Sequence, residues 1–138
     1  AQVSDVHAQT MIGVEKITAD LGENVSLPCK APNNNKTITA VEWSRPDQDP
    51  DYVLFYQDGY IHPHNQHPSY QHRVDLQDKE LRDGNFSLIL KNVTKEDTGR
   101  YKCYVYETGK TIELISIIDL EVHGEFVLRV QFVCHSAM

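Results

Sequence analysis

The sequence predicts an all-β domain built as two packed sheets with Greek-key connections. Three observations carry that expectation. Short runs of alternating apolar and polar residues are separated by turn signals, and no stretch holds a helical period for long. Two cysteines, Cys29 and Cys103, bracket the only tryptophan, Trp43. The run Asp97-Thr98-Gly99-Arg100-Tyr101-Lys102-Cys103 puts a tyrosine two residues before the second cysteine. In that run, Gly99 allows a tight bend where a side chain would clash.

Cys…Trp…Cys, with a tyrosine two places before the second cysteine, is the signature of an immunoglobulin-type sandwich. The pattern assigns a disulfide to Cys29 and Cys103 and a buried place to Trp43. It makes Tyr101 a tyrosine corner, its hydroxyl tied back to the backbone upstream.

The 138 residues leave room for one domain with a real core, and 40% of them are apolar. A net charge of -7 argues against nucleic acid and against an anionic membrane surface as partner. No apolar run approaches the roughly 20 residues that span a bilayer. The chain starts at Ala1, without an initiator methionine or a leader, and reads as a processed or excerpted piece. The cysteine pair implies an oxidising compartment. Four glycosylation sequons agree with it, at Asn24, Asn35, Asn85 and Asn92. The expected location is therefore extracellular, on the outer side of the plasma membrane or secreted.

In chain order, residues 1–13 form an N-terminal arm, residues 14–122 the domain and residues 123–138 a tail of atypical composition. Val14 to Thr18 is a first edge strand. Val25, Leu27 and Cys29 alternate with polar neighbours as a half-buried strand, against which Pro28 counts because it has no N–H. Pro32 to Lys36 is a loop by composition. Val41 and Trp43 point inward from the next strand. Tyr52 to Gln57 is another strand, and Asp58-Gly59 turns it into a short one at Tyr60-Ile61. These two are the additional strands of a variable-type domain. His62 to His72 reads as irregular, polar surface chain. Arg73 to Gln77 is a strand, and Phe86, Leu88 and Leu90 form the inward face of the next. Arg100 to Glu107 and Lys110 to Val122 form the last hairpin, with Ile118, Leu120 and Val122 facing in.

Several motifs occur in order: Leu27-Pro28-Cys29, Trp43-Ser44-Arg45-Pro46, Leu54-Phe55-Tyr56-Gln57-Asp58-Gly59, Tyr70-x-x-Arg73-Val74-x-Leu76 and Ser87-Leu88-x-Leu90-x-Asn92-Val93. Together they resemble the V-set domain of the butyrophilin and myelin-oligodendrocyte-glycoprotein group, to which the T-cell costimulatory ligands are related. The resemblance covers about Val14 to Val122. It implies a cell-surface protein whose V domain binds a protein counter-receptor on another cell, on lymphocytes, and adjusts their responses. The alternatives are a junctional adhesion molecule, marked by weak homodimerisation, or a soluble decoy. The last strand lacks the Phe-Gly-x-Gly bulge of antigen-receptor chains, which excludes that identity.

No residue set supports catalysis, since no nucleophile sits with a base and an orienting group. Asp97 and Arg73 read as a structural ion pair closing one end of the sandwich. His62, His64, His67 and His72 share a loop, but their spacing fits no metal motif, and no metal or cofactor is expected. Cys134 is left over as a free thiol or an interchain bridge.

The sequons select a binding face. Asn24, Asn85 and Asn92 fall on the sheet expected to hold the first strand together with the strands at Val25, Arg73 and Phe86, and Asn35 on a loop at one end. Glycans are bulky and keep partners away. The other sheet is left bare. By alternation its outward residues are Glu42, Ser44, Lys102, Tyr104, Tyr106, Glu113, Ile115 and Ile117, with Tyr56 close by. A bulge in the last strand, or cover from the tail, would change the facing of Ile115 and Ile117. Tyrosines beside isoleucines, ringed by charges, have the composition of an interface.

Bonding of Cys29 to Cys103, with Cys134 left out, is the first testable consequence. Closing that loop removes roughly 4 kcal/mol of unfolded-state entropy in the chain-entropy model. Non-reducing peptide mapping should recover the Cys29–Cys103 pair; a peptide joining Cys134 to either residue would overturn it.

Overall fold

The computed structural model describes residues 12–31, 37–48, 51–81 and 83–124. The N-terminal arm up to residue 11, Asn35, Cys134 and the tail beyond Gly124 lie outside the described residues. Nine strands follow in order: β1 (Val14–Asp20), β2 (Val25–Leu27), β3 (Ile38–Ser44), β4 (Tyr52–Gln57), β5 (Tyr60–Ile61), β6 (Val74–Leu76), β7 (Leu88–Leu90), β8 (Gly99–Glu107) and β9 (Glu113–His123). They form a six-stranded sheet in the order β1-β9-β8-β3-β4-β5 and a three-stranded sheet in the order β2-β7-β6. The result is the expected all-β, V-type sandwich.

The first strand corrects the sequence reading. It does not join the sheet of β2. It pairs parallel to β9, setting Ile17 beside Leu120 and Ala19 beside Val122. That register lets the alternate apolar residues of both strands pack on the core. The chain then crosses between sheets at a turn in which Leu21 donates to the His123 carbonyl (2.7 Å) and Gly22 to that of Val93 (2.8 Å).

Local chemistry sets the other boundaries. β2 ends at Leu27 because Pro28 has no N–H for the ladder. The Cys29 N–H donates instead to Ser87 Oγ (3.2 Å), and the Pro28 carbonyl accepts from Ser116 Oγ (3.0 Å). The β4–β5 hairpin turns through Asp58 and Gly59 at φ 57° and 88°, as the Asp-Gly pair anticipates. The segment from His62 to His72 is less irregular than its composition suggests. A 3-10 turn at Pro68–Tyr70, capped by His67, drives the Tyr70 ring fully into the core.

The core lies between the sheets. Leu27, Leu76, Phe86, Leu88 and Leu90 come from the three-stranded side, and Val41, Trp43, Leu54, Tyr101, Ile118 and Leu120 from the other. Each such burial contributes about 1.5–3 kcal/mol. The Cys29–Cys103 disulfide crosses the gap, and Trp43 Nε1 donates to the Phe86 carbonyl (3.0 Å), satisfying the one polar atom of the buried indole.

One end is closed by a polar network. The Tyr101 hydroxyl donates to the Asp97 carbonyl (2.6 Å), so it accepts from the Tyr70 hydroxyl (2.9 Å). Tyr70 in turn accepts from Arg45 Nη1 (2.9 Å). The same guanidinium reaches the carbonyls of Glu96 (2.8 Å) and Thr98 (3.0 Å). Arg73 forms two parallel bonds to the Asp97 carboxylate, at 2.8 and 3.0 Å. The Asp97 side chain is 3% exposed and that of Arg73 21%, so this pair is shielded from water in a way surface pairs are not. Asp97 Oδ2 also accepts from the Thr94 N–H (2.8 Å), capping the turn that carries it.

Gly99 is required here by close approach. A Cβ built on it falls 2.5 Å from Arg45 Nη2 and 2.9 Å from Arg45 Cζ. Gly99→Ala should therefore push the guanidinium off the Tyr70 hydroxyl and the Glu96 and Thr98 carbonyls, at a cost of about 2 kcal/mol or more. Gly13→Ala, where a Cβ meets nothing within 4 Å, is the neutral control. Chemical denaturation of both variants checks this; equal midpoints would refute it.

Candidate interaction face

The six-stranded sheet turns one face inward and the other outward, and residues paired across strands share a face. The outward face can be followed from β8. Lys102, Tyr104 and Tyr106 alternate with buried Tyr101, Cys103 and Val105. On β3 they face Ser44, Glu42 and Ala40. On β4, Glu42 faces Phe55 and Ser44 faces Tyr52. Beyond β4, Tyr60 of β5 pairs with Gln57.

This register corrects three of the residues selected for the face. Tyr56 pairs with Val41 and turns into the core, its hydroxyl donating to the Lys79 carbonyl. The outward aromatics of β4 are its neighbour Phe55 and Tyr52, both half-buried. On β9, a register shift opposite Cys103/Tyr104 leaves Ile115 as the extra residue. Ile115 packs against the core, and Leu114 takes the place beside Tyr104. Glu113 pairs with Val105 at the strand end and does not join the tyrosines. Ile117 keeps its outward place opposite Lys102. Glu42 and Ser44 lie on the outward side, yet both are buried. They sit on a central strand, and aromatic side chains of the flanking strands cover them.

Those rings make one continuous cluster. Phe55 and Tyr106 reach across β3 from opposite sides and meet edge to face at 5.6 Å. The small Ala40 beneath them, paired with Tyr106, leaves room for this closure. Phe55 also stacks on Tyr52 (6.2 Å) and meets His62 edge-on (5.8 Å). His62 lies flat against Tyr60 (4.2 Å), which is 56% exposed. Tyr52, Phe55, Tyr60 and His62 were not among the residues selected from sequence. A one-residue irregularity between Trp43 and Ser44 separates the β4 pattern from simple alternation.

Glu42 lies at the floor of this cluster, 7% exposed. The Tyr106 hydroxyl donates to its Oε1 (2.6 Å). Burial pushes its carboxyl above the usual range, the Tyr106 hydrogen bond opposes that, and the charge of Asp51 adds to it. The Glu42 charge in turn holds the Tyr52 hydroxyl up. Burial raises Tyr104, with Glu42 second, and burial followed by the bond to Glu42 raises Tyr106. Towards β1 the face becomes charged. Arg100 clasps Asp119 through two bonds, at 2.8 and 3.1 Å, which holds the Asp119 carboxyl below its usual range.

The sequons within the described residues lie across the sandwich. Asn24 precedes β2, Asn85 bridges Lys30 ahead of β7, and Asn92 follows β7. Asn24 and Asn92 are exposed and adjacent, Asn24 Oδ1 accepting from the Asn92 N–H (2.9 Å). In the histidine segment, His62 Nε2 bonds the Gln57 carbonyl and His67 Nδ1 the Ser69 side chain. Among the described residues no three His, Cys, Asp or Glu side chains converge as metal ligands, and no helix is long and apolar enough to cross a membrane.

Two sheets of this order, tied by a disulfide over a buried tryptophan and closed by a tyrosine corner, define a variable-type immunoglobulin domain. The profile of the immunoglobulin V-set domain matches residues 13–123, and the chain belongs to that family. Within it the chain is similar to butyrophilins and to myelin-oligodendrocyte glycoprotein. It is 32% identical over 117 residues to human butyrophilin subfamily 2 member A2, covering 83% of this chain and 22% of that protein. It is 33% identical over 111 residues to human myelin-oligodendrocyte glycoprotein, covering 80% of this chain and 44% of that one. A crystal structure of bovine butyrophilin superposes with a TM-score of 0.67 at 26% identity, over 78% of this chain and 50% of that one. The chain thus spans less than half the length of these curated relatives. It is an extracellular, immune-type immunoglobulin V-set domain.

The buried carboxylate has a measurable signature. Glu42 holds its proton more tightly folded than unfolded. At low pH both states are protonated and the effect vanishes. As pH rises through the ordinary carboxylate range the unfolded chain releases its proton first, so stability falls until the folded state's higher value is passed. Glu42→Gln keeps an acceptor for Tyr106 and removes the charge. Its melting temperature should exceed the parent's at pH 7 and match it near pH 3. A variant less stable than the parent at pH 7 would show that the charge is favourable where it lies.

Proposed function

We propose that this domain is the binding module of a butyrophilin-like cell-surface protein. Its outward six-stranded sheet meets a protein counter-receptor on lymphocytes and modulates their responses. The observation that carries the reading is the aromatic cluster of Tyr52, Phe55, Tyr60, His62 and Tyr106, with Tyr104 on the same face, on the sheet opposite Asn24, Asn85 and Asn92. A stable protein interface needs large, rigid, partly exposed side chains in a water-free centre with charges around it. Here the rings form the centre, and Lys102, Arg100 and Asp119 stand beside it. The family's membership of receptor and ligand domains supports the same reading.

The test is staining of activated lymphocytes by the soluble, multimerised chain. Phe55→Ala and Tyr104→Ala should each weaken binding by about 1–2 kcal/mol, five- to thirtyfold, with little loss of stability. Asp75→Ala and Ile89→Ala, paired on the three-stranded sheet, should leave it unchanged. The opposite pattern would assign binding to the other face. Self-association of the chain, abolished by the same front-face substitutions, would favour adhesion over ligand function.

A further inference from the structure

The charge on Glu42 is unusual for the middle of an interface. An ionised carboxylate offers about four acceptor positions. Among the described residues this one takes one hydrogen bond, from Tyr106. No cation among the described residues pairs with it, and the charge that reaches it most, Asp51, is negative. Lys102, the nearest basic residue along the face by register, is paired with Ser44 and forms no ion pair among the described residues. A buried carboxylate without a cation is costly, and a domain rid of that cost would carry glutamine or a hydrophobic residue here.

Its walls are aromatic on both sides. Both residues directly opposite Glu42, Phe55 on β4 and Tyr104 on β8, carry rings. Tyr106 closes over it towards Ala40, and Tyr52 stands beside Ser44. Ring faces attract a cation through their quadrupole, most strongly once water is excluded. A carboxylate floor with aromatic walls therefore selects a flat, delocalised cation that both stacks and makes paired N–H donations. A guanidinium does both, whereas a lysine ammonium is a strongly hydrated point charge.

We propose that Glu42, Phe55, Tyr104 and Tyr52 form a subsite for an arginine side chain presented by the counter-receptor. The subsite deepens the assignment of this face and rests on it for its biological partner, but it is testable without that partner. It also gives Glu42 a purpose: the cost borne in the free domain is recovered when the arginine arrives, and partners without a cation at that position are rejected by leaving a charge buried and unpaired.

The probe is N-acetyl-arginine methylamide, titrated into the full chain and followed by side-chain NMR, with the citrulline analogue as the uncharged control. The arginine compound should shift resonances of Phe55, Tyr104, Tyr106 and Tyr52. The citrulline compound should bind at least fivefold more weakly, and Glu42→Gln should abolish the difference. Equal shifts from both compounds, or an arginine response that survives in Glu42→Gln, would overturn the subsite. On lymphocytes, Glu42→Gln should lower binding at least fivefold without lowering the melting temperature. If Tyr104→Ala weakens cell binding and Glu42→Gln does not, the face stands and the arginine subsite falls. If neither matters, the assignment of the face itself falls, and the arginine titration alone decides whether the subsite exists.

Discussion

The hydrogen bond from the Tyr101 hydroxyl to the Asp97 carbonyl, at 2.6 Å, is the constraint on which one whole end of the sandwich depends. It commits the Tyr101 proton, so Tyr70 must donate to Tyr101 and can accept only from Arg45. The direction of every bond in the chain follows from that first commitment. Asp97 closes a second circuit through its carboxylate, to Arg73 and to the Thr94 N–H. The network joins the loop before β6, the turn before β8 and the end of β3, three segments far apart in sequence. In a low-dielectric interior a satisfied network of this kind rigidifies, and a partly satisfied one is costly. That asymmetry explains why Gly99 carries no side chain: the space is occupied by Arg45.

The outward face depends on irregularities in the ladders. Shifts lie between Trp43 and Ser44, between Ile38 and Ala40, and opposite Cys103/Tyr104. Each one changes which residue faces out beyond it. The shift on β9 packs a half-buried Ile115 against the core and brings Leu114 to Tyr104. Bulges of this kind re-aim side chains at functional edges. The aromatic cluster is their product, and the buried Glu42 is the product of the cluster: Phe55 and Tyr106 meet above β3 because Ala40 is small. The charge is then left under rings, hydrogen-bonded by Tyr106.

Asn24 and Asn92 show how position in the fold and local backbone combine. Asn92 has a φ of 52°, a conformation asparagine tolerates better than most residues. Its N–H is satisfied by Asn24, so the two sequons meet on the edge of the three-stranded sheet. Carbohydrate at either would shield that edge and leave the opposite sheet accessible.

Residue types at fixed spacing were enough to determine the sandwich, its disulfide, its buried tryptophan and its tyrosine corner. The reason is that each is a short-range or covalent demand: a cysteine needs a partner, and a tyrosine before it reaches only the turn just upstream. Alternation likewise placed Tyr104, Tyr106 and Lys102 correctly, since β8 is regular along that stretch. It failed at Glu113 and Ile115, because alternation has period two and a single extra residue inverts every facing after it; Tyr56, placed only near the face, pairs with Val41 and turns inward. It failed also for the first strand, whose partner was decided by matching Ile17 and Ala19 to Leu120 and Val122 more than a hundred residues away. Tyr70 read as part of a polar surface segment until the tertiary structure brought Arg45 and Tyr101 to it. The burial of Glu42 belongs to the same class. Nothing in its neighbours along the chain requires it, and only the closure of two rings from separate strands removes it from water.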